Sequence, residues 1–140
     1  GVYKLAALKD ENGNWDYKMK LSNTPMKVSK PGILNVLRFY NEKKEPIGDL
    51  TIDETIENTS IVKMYDETEK NWSRFESETL LQPIFKKGKN VYNFPTIHQI
   101  RDRAIQQRIV FSSLKNYYST GLEKHLYSKK MQLLDNLTKK

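Results

Sequence analysis

The sequence predicts an α+β fold: antiparallel β-hairpins followed by a long amphipathic helix and a shorter C-terminal helix. Three observations carry this. Short segments of alternating apolar and polar residues recur through the first two thirds of the chain, and clusters of Asn, Gly and Pro punctuate them. Beyond residue 96 the apolar spacing changes from two to three and four. With 140 residues, 37% of them hydrophobic and 11% aromatic, the chain can bury one modest core, so a single domain over 1–140 is expected.

The opening residues Val2, Tyr3, Leu5 and Leu8 read as a strand already under way, as in a piece taken from a longer protein. Lys9 to Asn14 is turn chemistry, and Trp15, Tyr17, Met19 and Leu21 then alternate with Asp16, Lys18 and Lys20 to close a first hairpin. A second pair of strands is expected over Leu34 to Tyr40 and Ile47 to Ile52, entered through Pro31-Gly32 and joined by N-E-K-K-E-P. Asp53 to Ser60 reads as an acidic loop and Ile61 to Tyr65 as a short strand. Glu67 to Glu78, with Trp72 and Phe75 at helical spacing, is expected to form one or two helical turns. A third hairpin runs out through Leu80, Leu81, Pro83, Ile84 and Phe85, turns on K-K-G-K-N and returns through Val91, Tyr92 and Phe94. Pro83 has no N–H to donate and belongs at an edge.

Thr96 starts the long helix, with Gln99 three residues on to complete a capping box. Ile97, Ile100, Ala104, Phe111, Leu114 and Tyr118 form its apolar face, while Asp102, Arg103, Gln106 and Lys115 lie elsewhere. After Ser119-Thr120-Gly121 a second helix carries Leu122, Leu126, Met131, Leu134 and Leu137 toward Lys139 and Lys140. Both helices are expected to pack on the sheet.

The absence of cysteine excludes disulfide staples, thiolate metal sites and a cysteine nucleophile. His98 and His125 lie 27 positions apart, so no metal site is expected. The six glycines, Gly1, Gly13, Gly32, Gly48, Gly88 and Gly121, fall in separate turns and form no phosphate loop or nucleophile elbow. The pairs Asp10-Glu11 and Asp53-Glu54 read as solvated loop carboxylates. No catalytic residue is assigned. No segment is apolar enough to span a bilayer and none resembles a secretory signal, so no membrane partner and a cytoplasmic location are expected.

The net charge is +7, from 24 basic and 17 acidic residues, and it falls in blocks. Residues 1–40 hold seven bases against three acids, nine acids lie between Asp49 and Glu78, and Lys86, Lys87 and Lys89 restore the positive sign. An anionic partner suits this pattern. Period-two alternation places Lys18, Lys20 and Ser22 on one face and Met19 and Leu21 on the other. That face suits a diphosphate, and it equally suits a solvent-facing strand kept soluble by lysine. A basic nucleic-acid-binding module is the alternative class, supported by the charge and eight tyrosines. No binding motif accompanies it, so nucleic acid is not the expected partner.

Five stretches in order, G-V-Y-K-L from Gly1, K-L-S from Lys20, Pro31-Gly32 ahead of a strand with Arg38, P-I-F-K-K-G-K-N-V-Y from Pro83, and Pro95-Thr96-Ile97 with Ile100-Arg101, resemble the C-terminal part of bacterial nicotinate phosphoribosyltransferase. The acidic middle, Asp53 to Ser77, matches least. Ile33 and Leu34 also depart from the family, which carries further basic residues after the P-G.

The resemblance implies a C-terminal fragment of an NAD-salvage enzyme that joins nicotinate to phosphoribosyl diphosphate, giving nicotinate mononucleotide and diphosphate with coupled ATP hydrolysis. The family's catalytic centre, with its phosphorylatable histidine, lies on a barrel domain upstream. The fragment is therefore expected to be inactive and to bind no cofactor itself, ATP and Mg belonging to the full-length enzyme. Residues 1–21 would form a hairpin shared with the upstream domains, and apolar surface would be exposed. The family's basic residues face the active site across a homodimer interface, which makes Lys18 and Lys20 the first candidates for substrate phosphate and Lys9 and Arg38 the next.

Overall fold

The computed structural model describes residues 3–24, 27–64, 66–114 and 118–139. Gly1, Val2, Tyr65, Lys115 and Lys140, which figure in the expectations above, lie outside them. In chain order the elements are β1 (Ala7–Lys9), β2 (Trp15–Tyr17), β3 (Leu34–Tyr40), β4 (Pro46–Asp53), β5 (Ile61–Met64), β6 (Glu69–Asn71), β7 (Glu76–Thr79), β8 (Phe85–Lys86) and β9 (Lys89–Asn90). Helix α1 (Ile97–Ser113), strand β10 (Ser119–Glu123) and helix α2 (Lys124–Thr138) complete the chain. The α+β class, with a long helix after the hairpins and a shorter C-terminal helix, agrees with the sequence.

Six strands form one mixed sheet in the order β6-β5-β10-β4-β3-β7. All neighbours are antiparallel except β10 and β4, which run parallel with Gly121 opposite Leu50. The long β3–β4 pair carries the clearest alternation: Pro46, Gly48, Leu50 and Ile52 are buried while the residues between them are partly exposed. Phe39, Leu50, Ile52, Val62 and Trp72 form the core, with Leu37, Ile47, Met64 and Phe75 packed against it.

Strands β6 and β7 occupy opposite edges, yet only four residues join them. In a flat sheet five strand spacings of about 4.8 Å would separate the edges by roughly 24 Å, beyond the reach of five residue steps at about 3.5 Å each. The sheet is therefore curled. The connection drops Trp72 into the core, its N–H bonded to Ser60 O (3.0 Å) and its ring 5.1 Å from that of Phe39.

Several expectations are corrected. Glu67 to Glu78 forms no helix: β6 and β7 are edge strands whose residues are all exposed, so no burial imposes the apolar alternation that would have marked them. Ser119 to Glu123 is not the entry to a helix but the strand that fills the gap between β4 and β5, so Leu122 belongs to the sheet. Gly48 and Gly121 lie in strands, not turns; a Cβ on Gly121 would stand 2.5 Å from Lys63 O and from Val62 Cγ1. The first hairpin ends at Tyr17, so Lys18 to Ser22 continue without strand pairing and their alternation does not define a sheet face. In the third hairpin only two residues pair on each side, across a turn in which both Lys87 and Gly88 have positive φ.

Helix α1 starts as expected: Thr96 Oγ1 accepts from Gln99 N (3.3 Å) and Gln99 Oε1 accepts from Thr96 N (2.8 Å). Its packing is corrected. No α1 side chain is buried, because Ile105, Ile109 and Val110 lie off the predicted stripe and the apolar surface is spread around the axis. Helix α2 does pack on β5 and β10, burying Leu126.

Candidate anion-binding surface

The tip of the first hairpin is set by turn residues 10–14, where Asp10 Oδ1 accepts from Asn14 N (2.7 Å) and Gly13 takes a positive φ. Beyond the base of the hairpin, Lys18 N donates to Ala6 O (2.9 Å) and holds residues 18–20 beside residues 3–5. Tyr3, Lys4, Leu5, Lys18, Met19 and Lys20 then surround a shallow depression of about 350 Å³. Lys18 and Lys20, the two first candidates, are thus together, and Lys4 joins them.

The two ammonium groups differ in availability. Lys18 Nζ is 2.6 Å from Asp16 Oδ2, whereas the Lys20 ammonium has no partner among the described residues. The Lys20 backbone is fixed at both polar groups, N–H to Ser29 Oγ (2.7 Å) and C=O from Ser29 N (3.1 Å). An anion in the depression would meet Lys20 directly and would compete with Asp16 for Lys18.

Lys9 and Arg38 are elsewhere. Lys9 pairs with Trp15 beside the hairpin tip, its ammonium 5.3 Å from the indole centroid. Arg38 lies in the six-stranded sheet opposite Asp49, which it grips with two bonds, Nε to Oδ1 (2.9 Å) and Nη2 to Oδ2 (3.1 Å). Nε also reaches Tyr118 Oη (3.0 Å), and the guanidinium plane covers the Phe111 ring at 4.9 Å. This side chain clamps the last turn of α1 to the sheet, engaged at Nε, Nη1 and Nη2 alike. Around it, burial and neighbouring carboxylates push the phenols upward: Tyr118 beside Asp49, and Tyr40, which bonds Glu78, to about 12.

Two buried carboxylates were not recognised as such in the sequence. Asp53, read as a solvated loop acid, is fully buried; Oδ1 accepts from Thr55 N (2.9 Å) and Thr55 Oγ1 (2.7 Å), while Oδ2 has no hydrogen-bond partner among the described residues and lies against Gly32. A Cβ on Gly32 would overlap Oδ2 and stand 3.0 Å from Asp53 Cγ, which accounts for the glycine of the P-G pair without any phosphate. Glu123 is also fully buried and caps α2: Oε2 accepts from His125 N (2.7 Å) and Leu126 N (3.1 Å), and Oε1 from Thr59 Oγ1 (2.6 Å). Its place just before an apolar helical run was the available signal, weakened because Glu is not among the favoured capping types. Among the described residues no three of His, Asp and Glu converge as a metal site would require, and no helix is long and apolar enough to cross a membrane.

Fold and side-chain distribution together define an α+β domain that spends its buried acids on structure and presents its unpaired cations at the surface. A family model described as the nicotinate phosphoribosyltransferase C-terminal domain matches residues 34–128, from the start of β3 into α2, and the chain belongs to that family. It is also 28% identical, over 94% of its length, to the nicotinate phosphoribosyltransferase of Bacillus subtilis (strain 168). The chain spans 29% of that relative.

Proposed function

We propose that these residues are the C-terminal part of a nicotinate phosphoribosyltransferase that converts nicotinate and phosphoribosyl diphosphate to nicotinate mononucleotide and diphosphate, with ATP hydrolysis coupled to the reaction. The family match over residues 34–128 carries this reading. The chain supports the fold and one substrate-phosphate surface, in a homodimeric enzyme of the cytoplasm. Magnesium and ATP supply charge neutralisation and driving force in the full-length enzyme.

The chemistry such a surface offers is electrostatic. As diphosphate leaves C1 of the ribose, negative charge grows on the leaving group, and ammonium groups already in place stabilise it without reorganisation. Lys20 is free to do this and Lys18 is held beside it by Asp16. A lost charge-assisted bond of about 1.5 kcal/mol corresponds to roughly tenfold weaker binding. The test is formation of nicotinate mononucleotide: none by the purified 140-residue chain, and turnover by the full-length protein in which Lys20→Met raises KM for phosphoribosyl diphosphate about tenfold. Turnover by the isolated chain would refute the reading, and an unchanged KM would remove Lys20 from the site.

A further inference from the structure

Between β7 and β10 the chain leaves the sheet, and from Leu80 to Leu114 it buries no side chain. The segment is nevertheless built. It holds the β8–β9 hairpin and seventeen residues of capped helix, and it carries large apolar groups in water: Leu81, Phe85 (68% exposed), Val91, Phe94, Ile97 (72% exposed) and Ile109 (55% exposed) among them. One end is fastened, where Phe111 stacks on Arg38 and Gln107 Oε1 accepts from Nη1 at 3.4 Å.

A helix of this length is marginal in water by itself, and most helical stability in proteins comes from covering an apolar face. Here the apolar residues are not confined to one face, the pattern of a helix enclosed on several sides. The segment is also basic, with Lys86, Lys87, Lys89, Arg101, Arg103 and Arg108 against Asp102 as its sole acid. A surface that fits it is an apolar groove with carboxylates along its rim. The exposed edges of the sheet, β6 and β7, do not provide it, being entirely polar.

We infer that residues 80–114 are a docking arm, and that its occupant is the part of the same enzyme lying outside these 140 residues. This rests on the reading under Proposed function, and on the relative, about seven tenths of which lies beyond the matched chain. In the assembled protein the arm holds the C-terminal sheet against the remainder, with Ile97, Ile100 and Ile109 buried and the arginines at the rim.

Hydrogen exchange tests this in the 140-residue chain and in the full-length protein side by side. The amides of 97–113 are expected to exchange quickly in the isolated chain at all concentrations and roughly 100-fold or more slowly in the full-length protein. Ile100→Asp and Ile109→Asp should abolish that protection while leaving β3, β4 and β10 protected, since neither side chain touches the core. Equal exchange in both proteins overturns the inference, as does protection in the isolated chain that rises with concentration, which would make a second copy the cover. A gene encoding only these residues overturns it as well. Protection without transferase activity would leave the arm standing and refute the enzymatic reading; activity without protection would do the reverse.

Discussion

Replacing Gly48 with alanine places a methyl group where the sheet has no room. Gly48 lies on β4 between Phe39 of β3 and Ser119 of β10, and the indole of Trp72 rests on its Cα. The added Cβ would overlap Ser119 O and Trp72 Cη2 and stand 2.9 Å from Cζ2. Ser119 O belongs to the backbone of a central strand and can retreat only by disturbing the β10–β4 ladder, and Trp72 must lift as well. Overpacking costs about 1–3 kcal/mol, and loss of the Phe39–Trp72 ring contact about 0.5–1.5 kcal/mol more. We expect a destabilisation of about 3 kcal/mol, a large share of the 5–15 kcal/mol typical of a domain. Urea denaturation followed by tryptophan fluorescence reads it, in a Trp15→Phe background so that Trp72 alone reports. Gly88→Ala is the control: its Cβ would meet nothing within 4 Å, and only its positive φ, worth about 1 kcal/mol, opposes the change. A Gly48→Ala loss no larger than that of Gly88→Ala would refute the close packing of Trp72 on β4.

Glu123→Ala should cost about 3 kcal/mol, because it removes the cap of α2 and strands the donors of Thr59, His125 and Leu126, while Glu123→Gln should cost about half as much; equal losses in thermal unfolding would count against a cap role. Arg38→Lys keeps the charge but gives up the forked bond to Asp49 and the stack on Phe111, for a loss of about 1–2 kcal/mol accompanied by faster exchange at the last turn of α1. Exchange at residues 107–113 as slow as in the parent would refute the clamp. Tyr40 has its folded-state pKa raised from 10.0 to about 12, so its stabilising contribution is present below pH 10.0 and is lost as pH rises from 10.0 through about 12. Tyr40→Phe should flatten that part of the stability-versus-pH curve and remove a late phenolate transition from the absorbance titration.

What the sequence disclosed divides by how local its cause is. The Thr96–Gln99 box involves four adjacent residues and was legible in full, as were the β3–β4 pair and the turn that folds the first hairpin. Strand β10 was not, because Ser-Thr-Gly-Leu-Glu has little strand preference of its own and is extended by the neighbours on either side. Asp53 and Glu54 are adjacent in sequence, but only the tertiary approach of Gly32 separates the buried acid from the exposed one. For the candidate surface, the sequence supplied Lys18 and Lys20 but placed them on a strand; it is the return of residues 3–5 alongside that makes a depression. Nothing in the residue order around Arg38 distinguishes a phosphate ligand from a clamp, since Asp49, Phe111 and Tyr118 come from three separate parts of the chain.

The position of β10 has a consequence for how the molecule is made. Its place is the middle of the sheet, yet it is synthesised more than fifty residues after β5, the neighbour it must join to β4. Until it emerges from the ribosome, β4 and β5 each face the other with an open edge, and the core over which Trp72 closes lacks a wall. Folding of the sheet is therefore postponed until β10 has been made, and a message truncated before Ser119 yields a product with two unsatisfied strand edges, a natural substrate for chaperones and proteases.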